Sequence, residues 1–228
     1  MRRIEAILFD MDGVLVDATE WHYEALNRAL ALFGFTISRY DHLSTYNGLP
    51  TKKKLEMLSI EKGLPAALHG LINRLKQVYT REEILSKCSP VFEKEYMVSR
   101  LRRDGYRMAV CSNSVRDTTE QMIRRGGLHD YFEFLVSNED IKRPKPDPEM
   151  YQHAMARMGV RPDQVVIVED APHGVEAARR AGAHVCEVAD FHEVTYWRVK
   201  RFVEDVEAKL ATAAPAAAPA PQPEAARC

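Results

Sequence analysis

Asp10 and Asp12 stand on either side of one methionine in the stretch FDMDGVLVD, directly after an apolar run and directly before Gly13. Further polar points come later in the chain: Ser112 with Asn113, Lys145 within RPKPDP, and Glu169 with Asp170 after VVIV. If the apolar runs that precede them are neighbouring strands, Asp10, Asp12, Glu169 and Asp170 share one edge of a sheet. Two unit charges about 4 Å apart repel by about 4 kcal/mol at an effective dielectric near 20, so such a cluster calls for a cation. Every candidate ligand is an oxygen, with no His or Cys among them, which favours the hard ion Mg²⁺, its octahedron completed by water and phosphate. A bound Mg²⁺ lowers the cost of bringing a phosphate dianion against an aspartate and frees one carboxylate to attack phosphorus. Lys145 suits a phosphate-binding point charge, and Ser112 and Asn113, ahead of a helix, suit phosphate oxygens near its N-terminus. Taken singly, each piece has a plainer explanation: a turn for Asp-x-Asp-Gly, a helix cap for Glu169-Asp170, a solvated lysine for Lys145. Their joint occurrence at the ends of apolar runs points to phosphoryl chemistry.

The elements that must deliver these residues are short apolar runs at residues 4–9, 108–111, 134–136, 165–168 and 184–188, separated by stretches long enough for helices. That alternation predicts a doubly wound α/β core with a parallel sheet, whose ligands bind at the C-terminal edge of the strands. Gly105, Gly159 and Gly182 mark helix ends before successive strands. Three prolines in RPKPDP forbid a helix and hold Arg143, Lys145 and Asp147 extended.

Between the first run and Cys88 the pattern is helical, with stretches at 19–33, 51–62 and 66–87 and no convincing strand. This predicts a helical cap over 17–88, inserted after the first strand of a core formed by 1–16 and 89–210. Asp17 with Glu20 reads as a capping box for its first helix, and Leu26, Ala29, Leu30 and Phe33 form its apolar stripe before Gly34. Residues 211–228 are almost entirely Ala and Pro and read as a disordered tail without chemistry.

The chain of 228 residues holds 32 Lys and Arg against 33 Asp and Glu, a formal charge of −1 that provides no general attraction to nucleic acid or anionic membranes. Four scattered cysteines without a CxxC pair suggest a reducing cytoplasm. Met1-Arg2-Arg3 is followed by too short an apolar run for a signal peptide, and no run approaches the roughly 20 residues of a membrane helix. No oligomeric state follows from the sequence.

Together, FDMDGVLVD, VCSNS, KRPKPDP and VIVEDAPHGVEAA resemble the four motifs of the haloacid dehalogenase superfamily, in the branch of β-phosphoglucomutases and small phosphatases. The resemblance spans residues 4–188 and puts the helical insert where that family carries its small cap on a Rossmann-like core. It implies that Asp10 is the nucleophile, and that Asp12 protonates the leaving oxygen and then activates water. It further implies Mg²⁺ on the Asp10 side chain, the Asp12 backbone carbonyl, Asp170 and Glu169, with Ser112, Asn113 and Lys145 on the phosphoryl oxygens. Family members that transfer phosphoryl groups keep the second aspartate, whereas dehalogenases and phosphonoacetaldehyde hydrolases do not, so phosphate-ester chemistry is implied. Ala171 departs from a common pattern with serine after the acidic pair.

The cap would choose the substrate. His22 sits where β-phosphoglucomutases carry a histidine contacting the acid/base aspartate, and it also suits the edge of a helix core. Where those mutases place an arginine for a distal phosphate, this chain has Thr51, followed by Lys52-Lys53-Lys54, one of which, Lys52, is taken to touch substrate. Arg116, just after the second motif, is placed either to reach an anionic substrate or to lie in solvent. Cys111, inside an apolar strand pattern, reads as core rather than nucleophile. The expected function is a cytoplasmic Mg²⁺-dependent phosphatase of a small phosphorylated metabolite, a sugar phosphate above all, working through an aspartyl phosphate. A phosphosugar mutase, and a non-catalytic phospho-accepting or metabolite-binding regulatory protein, remain alternatives.

Overall fold

The computed structural model describes residues 4–212. Five parallel strands, β1 (Ala6–Phe9), β2 (Arg107–Cys111), β3 (Leu135–Val136), β4 (Val165–Glu169) and β5 (His184–Glu187), lie in the order β3-β2-β1-β4-β5. β1 is the central strand, and Phe9 stands opposite Val110 on one side and Val168 on the other. That register sets Asp10 level with Cys111 and Glu169, and Ser112, one residue beyond the end of β2, reaches the same edge.

The helices are α1 (Thr19–Ala31), α2 (Arg39–Asp41), α3 (Thr51–Lys62), α4 (His69–Lys87), α5 (Phe92–Arg103), α6 (Arg116–Arg125), α7 (Glu149–Met158), α8 (Pro172–Arg180) and α9 (Tyr196–Thr212). Side-chain alternation along β1 sends Ile7 and Phe9 into one apolar layer, with Met97 and Leu101 of α5 and Val199 and Val203 of α9. Ala6 and Leu8 enter the other layer, with Tyr151 and Ala154 of α7 and Ala177 of α8. Both faces are therefore covered, which is why the strands read as continuous apolar runs.

The segment between β1 and β2 contains helices α1 to α5 and no strand beyond an isolated bridge at Val16. Within it Leu26, Leu30, Ile37, Tyr46, Leu55, Leu58 and Ile72 form an apolar cluster separate from the two sheet layers. α1 ends at Ala31 rather than at residue 33, and Phe33 is only partly buried. No helix among the described residues is long and apolar enough to cross a membrane.

Three local expectations change. Asp17 does not cap α1: Ala18 holds the cap position without a side-chain hydrogen bond, Asp17 is exposed, and Glu20 pairs with Arg39 at 2.8 Å. The RPKPDP loop is a turn rather than an extended segment, closed by the Asp147 N–H donating to the Pro144 carbonyl at 3.0 Å. Ala211 and Thr212 belong to the last turns of α9, which has no counterpart among the expected elements. The remaining tail residues, 213–228, lie outside the described residues.

Candidate active site

At the floor of the site, Asp10 continues from β1, its N–H donating to the Val168 carbonyl at 3.0 Å. The Lys145 ammonium donates to Asp10 Oδ1 at 2.6 Å, to Glu169 Oε1 at 2.6 Å and to the Cys111 carbonyl at 2.8 Å. Burial opposes its charge, yet Asp10 and Glu169 hold the ammonium above its ordinary pKa. Tyr151 also donates to Glu169 Oε1, at 2.5 Å.

Carboxylate oxygens of Asp10, Glu169 and Asp170 lie within 4.8 Å of one another, and Asp170 Oδ1 is buried without a hydrogen-bond partner. Burial pushes the Asp10 carboxyl well up; Lys145 pulls it down, while Glu169, Asp170 and Asp12 raise it further. Burial and Glu169 push Asp170 up to about 7. One ammonium is thus too little positive charge for this group, and an all-oxygen set with an orphaned buried oxygen suits a hard divalent cation. Two glycines make room for these carboxylates: a Cβ on Gly13, whose φ is +87°, would lie 2.2 Å from Asp170 Oδ2, and one on Gly174 would lie 1.9 Å from Glu169 Oε1.

Asp12 sits above, in contact with the helical segment. Its Oδ1 meets His22 Nε2 at 3.0 Å, and its Oδ2 accepts from Ser114 Oγ at 3.0 Å and from Ser112 Oγ at 3.5 Å. Burial raises its pKa, but His22 and Ser114 outweigh burial and the net shift is downward. The packing of α1 against α4 brings His22 Nδ1 to 3.1 Å from Lys76 Nζ. A protonated Lys76 only donates, so Nδ1 accepts and the Nε2 proton points at Asp12. Burial and Lys76 lower the His22 pKa, and burial lowers Lys76 to about 8.

A cavity of about 130 Å³ joins the two levels, lined by Asp10, Asp12, His22, Thr51, Lys52, Asn113, Lys145 and Glu169 among the expected residues. Ser112 is buried beneath it, its Oγ accepting from the Ser114 N–H at 3.0 Å. The Asn113 side chain is engaged within the protein, donating to the Gly48 carbonyl at 2.8 Å and accepting from the Lys145 N–H at 3.1 Å. Arg116 is not at the site. It is tied to Asp140 and lies 3.6 Å from Glu120, in a surface depression with His129 and Arg157, because two neighbouring acids draw it away. Cys111 is fully buried and its thiol is pushed up to about 12, so it is core.

Lys76, Ser114 and Tyr151 also belong to the site and were not expected there; Lys54 joins them, from the lysine triplet of which Lys52 is the expected contact. Helical spacing carries the signal for the lysines: Lys54 lies four residues before buried Leu58, and Lys76 continues the stripe Ile72, Thr80, Ile84. Burial, first, and repulsion from Lys76 lower Lys54 to about 7.

Comparison with known proteins agrees with this geometry. A family model described as haloacid dehalogenase-like hydrolase matches residues 7–188. A phosphorylated carbohydrates phosphatase from Thermotoga maritima is 31% identical over 181 residues, covering 78% of this chain and 82% of that protein. The pyrophosphatase PpaX of Bacillus velezensis is 28% identical over 197 residues, covering 82% and 84%. The crystal structure of β-phosphoglucomutase from Clostridium difficile superposes with a TM-score of 0.78 at 18% identity, covering 90% of this chain and 99% of that one, a likeness of fold.

Proposed function

The chain belongs to the haloacid dehalogenase-like hydrolases, in the branch of phosphatases and phosphoglucomutases, and from that premise we propose that it is a Mg²⁺-dependent phosphatase of a small phosphorylated metabolite, a sugar phosphate. The observation that carries this reading is the opposition of two carboxylates across one cavity: Asp10 fixed by Lys145 within an acidic group, and Asp12 linked through His22 to Lys76. The Thermotoga relative, named for phosphorylated carbohydrates, supports the sugar phosphate, and Thr51 at the position where an arginine would serve a mutase favours hydrolysis.

Lys145 occupies Oδ1 of Asp10, and Oδ2 attacks phosphorus. A phosphoryl oxygen would share the ammonium with Asp10. As the aspartyl phosphate forms, the bond to the leaving oxygen breaks and that oxygen takes a proton from Asp12. Asp12 starts as a carboxylate, and an incoming phosphate dianion disfavours its charge, so substrate binding promotes transfer of the His22 Nε2 proton to Asp12 as Lys76 delivers one to Nδ1. After the product leaves, Asp12 accepts a proton from water, whose oxygen attacks phosphorus and restores Asp10. Asp10, Glu169, Asp170 and the Asp12 carbonyl are the groups that would hold Mg²⁺, which when bound neutralises the acidic floor and draws charge from the phosphoryl oxygens. The helical segment is the cap, closing on the core through Asn113 with Gly48, Thr118 with Gln77 at 3.3 Å and Arg81 with Asp117 at 2.8 Å.

The experiment is phosphate release from a panel of phosphorylated metabolites with and without Mg²⁺, using the wild type and Asp10→Asn. Release that needs Mg²⁺ and vanishes in the variant is expected; undiminished release by the variant rejects the mechanism. Incubation with β-glucose 1-phosphate and a catalytic bisphosphate separates the chemistries, since predominant glucose 6-phosphate would make the protein a mutase.

A further inference from the structure

α4 buries one side, with Ile72, Lys76, Thr80, Glu83 and Ile84 turned into the protein. The side facing away from them carries Leu71, Val78 and Leu85, which are 39%, 46% and 55% exposed. Single exposed apolar residues are ordinary on a protein surface, but these three recur every seven residues along one helix. A seven-residue step drifts by only about 20° around a helix, so the three stay on one line about 21 Å long. A surface helix whose buried face is already packed needs no second apolar stripe to fold.

The charges beside the stripe indicate what covers it. Arg74 stands four residues before Val78 and Glu82 four residues after it, just as Leu71 and Leu85 stand seven before and seven after. When two copies of α4 cross antiparallel with Val78 on the twofold axis, Leu71 of each meets Leu85 of the other, and Arg74 of each meets Glu82 of the other. A twofold contact requires this self-complementarity, because whenever one residue meets a second, the second must meet the first. Arg74 has no ion-pair partner among the described residues, and Glu82, held by Arg28 through Oε2 at 2.8 Å, keeps Oε1 for a second cation. An anionic lipid surface would be met by cations alone, and Glu82 opposes it.

We propose that the outer face of α4 binds a second copy of this chain, as an antiparallel twofold pair centred on Val78. The contact is small, one 19-residue helix from each copy, so the dimer forms reversibly and at micromolar or higher concentration. Lys76 and Gln77 line the cavity from another side of α4, so the pairing face and the cavity wall are distinct, and the proposal does not depend on the chemistry in that cavity.

The test is sedimentation equilibrium of the full chain from about 1 to 500 µM, with circular dichroism to confirm that each variant is folded. The wild type is expected to approach twice the mass of one chain at the upper end, and Val78→Glu, which sets two carboxylates against each other on the axis, to remain a monomer throughout. Arg74→Glu alone and Glu82→Arg alone each put like charges opposite each other and should weaken association about tenfold or more. Arg28 keeps Glu83 at 3.4 Å when Glu82 is reversed, so the contact between α1 and α4 survives. An equimolar mixture of the two single variants restores both opposite-charge pairs in the mixed dimer, and its association should return to within about threefold of the wild type. A wild type that stays monomeric, which would leave the stripe to some other partner, overturns the proposal. So does a dimer that Val78→Glu leaves intact, or a mixture that associates no more tightly than its two components.

Discussion

Lys145 donates to Asp10, Glu169 and a backbone carbonyl at once, so its loss would leave buried carboxylates without their ammonium. Lys145→Met is expected to abolish phosphate release and to cost about 3–5 kcal/mol of stability without metal. The deficit should shrink in Mg²⁺, and urea midpoints with and without the ion measure it. His42 gives a second prediction. It is fully buried, and burial, with Lys54 next, holds its pKa down to about 3 against an ordinary 6.5. Between those values unfolding takes up a proton that the fold refuses, so stability falls as the pH drops through this window. At pH 5, roughly 1.5 units below 6.5, the cost is about 2 kcal/mol. His42→Phe keeps a ring beside Tyr23 and should remove that share of the acid sensitivity. Urea midpoints at pH 7.5 and pH 5 compare the two proteins, and an equal drop in both would sink the assignment. At this scale Asp10, Lys145 and Glu169 are legible from sequence because each follows or flanks a buried strand or a stiff loop. Lys54 and Arg116 are harder, because their roles depend on which neighbours compete for the charge.

Among the elements, α8 begins directly after the acidic pair, and its Gly174 leaves the space that the Glu169 carboxylate fills. Gly174→Ala must displace that carboxylate. The expected result is a rise of about tenfold or more in the Mg²⁺ concentration for half-maximal activity, with helix content by circular dichroism unchanged. Elements buried on both faces, such as β1 and β4, announce themselves by uninterrupted apolar runs, and α3 begins and ends where its sequence pattern predicts. The start of α1 is less legible, because Asp17 and Glu20 satisfy a capping pattern while the chain directs one to solvent and the other to Arg39. The RPKPDP loop shows the same limit: proline excludes a helix, but the turn depends on the Asp147 N–H finding the Pro144 carbonyl.

In the molecule as a whole, three apolar clusters divide the packing: one on each face of the sheet and one within the helical segment. Leu58→Ala, which creates a cavity in the third cluster, should cost about 2–5 kcal/mol there. Amide hydrogen exchange is expected to accelerate in α1, α3 and α4 and to stay slow in β1, β2 and β4. Uniform acceleration would mean that the clusters open as one unit. The strand order has a further consequence, for the time at which the protein can fold. β1 is made first yet lies at the centre, between partners that begin at Arg107 and Val165. At about 5–20 residues per second, the ribosome needs roughly 8–30 seconds after Ala6 to reach the second partner. During translation the helical segment can gather its own core, while the apolar β1 waits unpaired until β2 is made and with one edge open until β4 follows, and a nascent-chain chaperone has that interval in which to bind it.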